Sequence, residues 1–370
     1  MKIAVLLDHW HHAGGGLEQY LKFVLPKFVD KGHQVLLVAA GASRGTPRGV
    51  EAVELGRGRF LPRPWSDYAE AREAVAAATA WQADAVFSPR AVSCSGAVWQ
   101  PMGGSAPHVQ AARGRPPSLR TRALMRLENA ALKNAALVFA PSPMVAREIA
   151  ERAPDKKIVV APLPLLETPV ALRQPVMRRD WSDDQPLRVV HCGRDPLRHG
   201  SATAVEWFLA IRARNIPARL DLWSKTKAHA ARAIDKSQTE LQALGVHLHD
   251  WDGRFHQALG QADLLLHPTL YDSFSLVCLE AAAAGVPVVT TEQAGVAELL
   301  PPQLCLTMSP KLTEMAAASA LELLVAAGTS DPDRWQTLVK NVRQQFNLDQ
   351  HVELLADTLR QAAMRQSVHD

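Results

Sequence analysis

Short apolar runs alternate with stretches of helical periodicity from one end of the chain to the other. A strand buried on both faces reads as a continuous apolar run, so this alternation predicts parallel sheets covered by helices. In the first half the predicted strands are 3–7, 35–39, 85–88, 137–141 and 158–161. Residues 17–30 read as the helix between the first two strands. Ser142 is placed to cap a helix over 143–152, with Pro143 at its first position. The pattern then restarts, with strands predicted at 187–192, 220–223, 246–249, 264–267, 286–290 and 305–307. A proline-rich stretch without periodicity, 162–186, separates the two series and reads as a linker with a lead-in. The tail predicts three helices, 311–326, 333–345 and 348–366.

A chain of 370 residues exceeds one ordinary hydrophobic core, so the two series are read as two α/β domains. The expected architecture is two doubly wound, Rossmann-like domains facing a central cleft, with ligand at the carboxyl ends of the strands. The expected boundaries are 1–165, 166–348 and a terminal segment 349–370. With 47% hydrophobic and 21% charged residues the composition is that of a soluble globular protein. No run of about 18 uncharged apolar residues predicts a membrane span. The opening Met1-Lys2-Ile3-Ala4-Val5-Leu6-Leu7-Asp8 is too short for a signal peptide and reads as a first strand. Cys94, Cys192, Cys278 and Cys305 are scattered, without zinc or disulfide spacing, which places the expected home in the cytoplasm.

Charge changes the picture of the halves. Residues 1–165 hold 21 Lys/Arg against 13 Asp/Glu, a net +8; the remainder holds 20 against 24, a net −4. A basic first half implies an anionic partner there, such as a membrane surface or a phosphorylated glycolipid. Nucleic acid is not expected, because no binding module or aromatic-interleaved basic stripe is present.

The densest chemistry lies in Tyr271-Asp272-Ser273-Phe274-Ser275-Leu276-Val277-Cys278-Leu279-Glu280, followed by a small-residue run and Gly285-Val286-Pro287. Asp272 falls in a loop after an apolar strand, and Glu280 inside the next helix. That helix is expected to begin between Ser273 and Leu276. There its unpaired N–H groups and dipole make an anion site. Glu280 then lies about 6 to 10 Å further in, at about 1.5 Å rise per residue. That is roughly the span from a diphosphate to the ribose of one nucleotide.

This acidic pair resembles the E-x7-E motif of retaining GT-B glycosyltransferases, the large group 1 or family 4 type that includes lipopolysaccharide-core glucosyltransferases. The frame around it is similar too, with Ala262-Asp263 before a strand, His267-Pro268 after it, and Gly285-Val286-Pro287-Val288-Val289 further on. The chain departs from the pattern at the first acid, which is Asp rather than Glu. The resemblance implies a GT-B fold whose last helix crosses back onto the first domain. It also implies transfer of a sugar from a nucleotide-diphosphate donor, UDP-linked by default, to an envelope glycan or glycolipid such as lipopolysaccharide core. No cofactor is implied, and no metal. The enzyme would work on the cytoplasmic side, with a peripheral membrane contact open.

Residue by residue, the resemblance implies that Glu280 binds the ribose hydroxyls. Asp272, with the amides of Ser273, Phe274, Ser275 and Leu276, would orient the sugar and its phosphate. Gly14-Gly15-Gly16 follows the first strand, and glycines there let backbone N–H groups approach a phosphate. Gly15 and Gly16 match the family's diphosphate loop, a flexible turn being the other reading. Arg194 and Arg198 would pair with the departing diphosphate. His199 stands where relatives carry Lys and is cationic only if its pKa is held up; Lys225 is placed to compensate. His108 is a contact to donor sugar or acceptor, or a structural histidine. His9, His11 and His12 flank the glycine loop without metal-ligand spacing. The nucleobase would lie near Trp251-Asp252-Gly253-Arg254, by resemblance alone.

Residues 113–133 crowd Arg113, Arg115, Arg120, Arg122, Arg126 and Lys133 among leucines, on a helix starting near Ser118. Such a helix either lies on an anionic bilayer or packs its apolar face on the core. Two other functions stand beside the transferase: a nucleotide-sugar epimerase on the same fold, and a non-catalytic nucleotide-sugar binder.

Overall fold

The computed structural model describes residues 1–11, 14–56, 65–114, 116–166, 181–252, 254–328 and 331–366. His12, Arg115, Gly253 and most of the predicted linker lie outside the described residues. The chain divides into two compact units, Met1–Leu166 with Asn347–Asp370, and Glu167–Phe346.

The first unit is built on strands β1 (Lys2–His9), β2 (Gln34–Ala40), β3 (Glu51–Glu54), β4 (Ala85–Ser88), β5 (Val98–Trp99), β6 (Leu137–Ala140) and β7 (Ile158–Val160). They form one sheet in the order β3-β2-β1-β4-β5-β6-β7, and every pairing is parallel. Ile3, Ala4, Val5, Leu6 and Leu7 are all fully buried, the consequence of cover on both faces. Its helices are α1 (Gly16–Asp30), α2 (Trp65–Ala80), α3 (Ala106–Ala112), α4 (Leu119–Asn134) and α5 (Pro143–Arg152). Ser142 caps α5 by accepting from the Val145 N–H at 3.2 Å, as its position predicts.

The second unit contains β8 (Leu187–Gly193), β9 (Ala218–Ser224), β10 (Val246–Asp250), β11 (Leu264–His267), β12 (Val288–Thr290) and β13 (Cys305–Thr307). Their order is β10-β9-β8-β11-β12-β13, again parallel throughout. The helices are α6 (Ser201–Arg212), α7 (Lys227–Ile234), α8 (Gln238–Ala243), α9 (Arg254–Gln261), α10 (Leu276–Ala283), α11 (Thr313–Gly328) and α12 (Pro332–Gln345). The core gathers Trp207, Phe208 and Ile211 of α6 against Leu220, Leu222, Leu264 and Leu266 of the sheet. Burying each such side chain is worth about 1.5–3 kcal/mol, which holds the strand ends that carry the chemistry in place.

The last helix, α13 (Leu348–Gln366), belongs to the first unit. It packs on α1, β4 and β5. His351 is its buried anchor: Nδ1–H donates to the Pro162 carbonyl at 2.9 Å, and Nε2 accepts from Tyr20 Oη–H at 2.8 Å. Burial lowers the His351 pKa to about 4, so the ring stays neutral. Lys27 with Asp349 at 2.9 Å, and Lys31 with Glu353 at 3.0 Å, line the exposed edge of the contact.

Two strands fall outside the predicted set. β3 is an edge strand in which only Glu54 is even partly covered, so it lacks an apolar run. β5 is two residues long and shows no period at all.

Candidate active site

The loop after β8, residues 194–200, is held against the loop after β11. Leu270 N–H donates to the Arg198 carbonyl at 2.8 Å, and Thr269 Oγ1 donates to the same oxygen at 3.1 Å. Gly200 has φ +69°, and a Cβ there would stand 2.0 Å from the Pro268 carbonyl oxygen. Only glycine satisfies both conditions. Gly193 is similarly constrained, with Ser201 Oγ 2.3 Å and His191 Nε2 2.8 Å from where its Cβ would be.

Asp272 and Glu280 have different local tasks. Asp272 Oδ1 accepts from the N–H groups of Phe274 at 3.3 Å and Ser275 at 3.0 Å. Its backbone is clamped as well: Asp272 N–H donates to Gln293, and Gly295 N–H to Asp272. Val296 N–H donates in turn to Phe274. Those bonds keep Ser275, the residue before α10, at φ +71°, a left-handed conformation that serine holds only under constraint. Two of the expected anion-binding amides, Phe274 and Ser275, are thus already occupied by Asp272. The α10 ladder begins with Leu279 N–H donating to Ser275, so Leu276, Val277 and Cys278 have no acceptor within the helix.

Burial of Asp272 works against ionisation, yet His267 and Arg198 beside it hold its carboxyl below the usual range. His267 is fully buried, its Nε2 3.8 Å from Asp272 Oδ2, beyond hydrogen-bond length. His191 is fixed beside it: Nδ1–H donates to the Leu266 carbonyl at 2.8 Å, and Nε2 accepts from Ser201 Oγ–H at 2.9 Å. Burial, with His267 nearby, lowers the His191 pKa to about 3.

His199 requires a correction. Desolvation, then its neighbour His267, holds its imidazole well below the ordinary value, so it is neutral and does not replace a lysine. The geometry agrees, since the Arg198 guanidinium sits 3.0 Å from His199 Nε2, which accepts from it. The positive charge of this loop is therefore Arg198 and Arg194. Lys225, just after β9, is exposed.

Glu280 is 8% exposed, and its Oε2 lies 3.5 Å from His256 Nε2 of α9. That carboxylate raises the His256 pKa against the opposing effect of burial. His256 in turn packs edge-on to Trp251, and Arg194 lies over the Trp251 ring at 5.4 Å from its centroid. Arg194, Trp251, His256 and Glu280 thus form one contact chain across four segments. Sequence reasoning missed His256, because nothing in its own neighbourhood marks it; only packing of α9 on α10 brings it to Glu280.

In the first unit, Gly15 precedes α1 with no side-chain cap, and Gly16 opens the helix. His108 of α3 lies among polar groups of the same unit, with Nδ1 3.2 Å from Ser105 Oγ and Nε2 3.5 Å from Glu151 of α5. The basic helix α4 starts at the expected cap, Ser118, and buries Ala123, Leu127, Ala131 and Leu132. Its apolar face is core; its outer face shows Arg120, Arg122, Arg126 and Lys133, with Leu119 79% exposed.

Two residue patterns match this chain: "Glycosyltransferase Family 4" over residues 14–165, and "Family 4 Glycosyltransferase in conflict systems" over residues 106–368. The chain is a family 4 glycosyltransferase. Its fold is GT-B, as in several solved structures. It superposes on sucrose-phosphate synthase from Thermosynechococcus elongatus with TM-score 0.71 and 19% identity, over 97% of this chain and 98% of that one. For WaaG, a glycosyltransferase involved in lipopolysaccharide biosynthesis, the TM-score is 0.70 and the identity 18%, over 96% and 99%. For HepE of Anabaena in complex with UDP-glucose the values are 0.67 and 15%, over 98% and 100%. No curated protein sequence is matched. Among the described residues, no helix of this glycosyltransferase is long and apolar enough to cross a membrane.

Proposed function

We propose that this family 4 enzyme is a retaining, metal-independent transferase that uses a nucleotide-diphosphate sugar, with UDP-linked sugars favoured. The observation that carries the reading is the placement of Glu280. It is a buried carboxylate one turn into α10, the helix whose first three N–H groups lack a helical acceptor. A diphosphate takes the Leu276 and Val277 amides and the positive end of the helix. The ribose hydroxyls of the same nucleotide then donate to Glu280, about 6 Å further along. Trp251 and its neighbours hold the base. The HepE complex with UDP-glucose supports uridine as that base.

As the bond from the anomeric carbon to the diphosphate breaks, negative charge grows on the leaving oxygens. Arg194 and Arg198 meet that charge with planar, multi-donor guanidinium groups, and no cation from His199 is needed. The acceptor hydroxyl attacks from the face the diphosphate leaves, and its proton passes to the departing phosphate oxygen, so the anomeric configuration is kept. Asp272 acts through the loop it caps, fixing Ser275 and hence the direction of the α10 amides. His108 has no step to perform in this scheme. The acceptor is an envelope glycan or glycolipid, a reading supported by the likeness to WaaG. It is reached from the cytoplasmic side, where the outward arginines of α4 favour an anionic bilayer surface.

A thermal-shift panel of UDP-, GDP- and ADP-sugars tests the donor, since a ligand that binds only the native state raises its melting temperature. UDP-sugars are expected to give the largest rise. Transfer should continue in EDTA with the anomeric configuration retained by NMR. Inverted product, or loss of turnover on chelation, would reject the mechanism.

A further inference from the structure

Among the described residues, the ion-pair partner of the buried Glu280 carboxylate is an imidazole, not a guanidinium or an ammonium. His256 Nε2 lies 3.5 Å from Glu280 Oε2, with 26% of the histidine side chain and 10% of the glutamate side chain exposed. Arginine and lysine stay charged across the neutral pH range; histidine does not. The pair therefore has no net charge when His256 is protonated and one negative charge when it is not.

Packing fixes this partnership. Phe255, fully buried, anchors the first turn of α9 edge-on to Trp223 of β9, and the next residue, His256, meets α10. The other ionisable groups around it are accounted for. Asp252 and Arg254 pair with each other at 2.6 Å, and Arg194 lies over the Trp251 ring. Cys192 of β8 is kept uncharged by burial, its pKa pushed up to about 12. Glu280 is thus the charge that His256 answers, and it holds the imidazole above its ordinary 6.5 against the effect of burial.

We propose that His256 is a positioning residue for the donor, acting through Glu280: protonated, it cancels the carboxylate's charge, and binding of an anionic nucleotide sugar takes up a proton there. The assignment rests on the transferase reading above, in which ribose hydroxyls meet Glu280. A carboxylate offers about four acceptor sites, so one bond from His256 leaves room for those hydroxyls. The donor's diphosphate brings two negative charges and excludes water from the pair. With His256 neutral, it would meet an uncompensated, desolvated carboxylate. Binding therefore favours the protonated ring and raises its pKa further in the complex. By linkage, affinity is greatest below the free protein's value and falls as pH rises through the interval between the two.

Isothermal titration calorimetry of the full chain with UDP-glucose tests this at about pH 6 and about pH 8.5, on either side of the histidine range. Two buffers of different protonation enthalpy report the proton uptake. UDP-glucose is the probe because its diphosphate is esterified at both ends. It lacks the phosphate proton that titrates near about pH 6 in free UDP. Binding is expected to be roughly five- to tenfold tighter at the lower pH, the difference between a charged and a neutral hydrogen bond, with net proton uptake. His256→Gln should bind at the weaker level at both pH values and take up no proton. His256→Lys, a cation at both, should hold the tighter level at both. The wild-type proton count decides the question even if a variant fails to fold. Equal affinity at the two pH values, proton release, or a pH dependence that survives His256→Gln would overturn the proposal and leave the donor site standing. If the wild-type chain binds UDP-glucose at neither pH, the transferase reading itself fails, and the role of His256 falls with it.

Discussion

Each unit begins with a buried parallel strand followed by a loop and a helix, and the two loops are made in opposite ways. After β1 the chain uses three consecutive glycines and enters α1 with no side-chain cap. At Gly14 an added Cβ would meet only Glu18, the end of a flexible side chain. After β8 the loop instead carries Arg194 and Arg198, is pinned by its Arg198 carbonyl to Thr269 and Leu270, and turns at a glycine that touches backbone. The lesson is that the same topological position can offer bare backbone or a rigid mount for cations. Rigidity goes with the loop that carries the two guanidinium groups.

The largest expected effect breaks that contrast directly. Gly200→Ala combines a left-handed φ with a clash against the Pro268 carbonyl and should cost on the order of 3–5 kcal/mol. Gly14→Ala should cost under about 1 kcal/mol, because Glu18 can swing away. Urea unfolding of both variants measures the difference, and equal losses would show that the two loops are alike after all.

The next effect compares one buried histidine from each unit. His351 and His191 have folded pKa values of about 4 and about 3, against an ordinary 6.5. Between those values and 6.5 the unfolded chain binds the extra proton, so stability is full above about pH 6.5 and falls as pH drops. The loss at His351 should be complete near pH 4, while that at His191 continues toward pH 3. The shift corresponds to roughly 3 kcal/mol at His351 and roughly 5 kcal/mol at His191. Titration of the two ring C–H resonances by NMR checks the order; a midpoint near 6.5 for either would contradict its burial.

Glu280→Ala should weaken donor binding by about 1–3 kcal/mol, the penalty for stranding ribose hydroxyls in a buried site. Calorimetry with UDP-glucose reads it directly, and unchanged affinity would remove Glu280 from the site. The smallest effects are at helix caps. Ser142→Ala, fully buried in the first unit, should cost about 1–2 kcal/mol; Ser237→Ala, exposed in a capping box of the second, about 0.5–1. Chemical denaturation of the two variants ranks them.

Much of the fold was legible because its signals are local. The apolar run at 264–267 matches β11 end to end, Ser142 and Pro143 mark α5, and the periodicity of 348–366 gives α13. β3 and β5 escaped because their pairing comes from neighbouring strands rather than from their own residues. In the candidate site, spacing alone put Asp272 in a loop and Glu280 on the next helix. It did not reveal that Asp272 occupies the Phe274 and Ser275 amides, or that His199 is desolvated and neutral. The first depends on a backbone clamp from residues 293–296, the second on side chains brought from β11.

The sequence by itself determined the two alternating α/β series, the helix caps, the acidic pair and the uneven charge of the halves. Each is written within a few residues, through period, turn chemistry or ionisable groups. Only the tertiary structure decided which cations stay charged and which amides stay open. It also brought His256 to Glu280. Desolvation and pairing depend on groups far apart in the chain, and those meet only once the sheets and helices have packed.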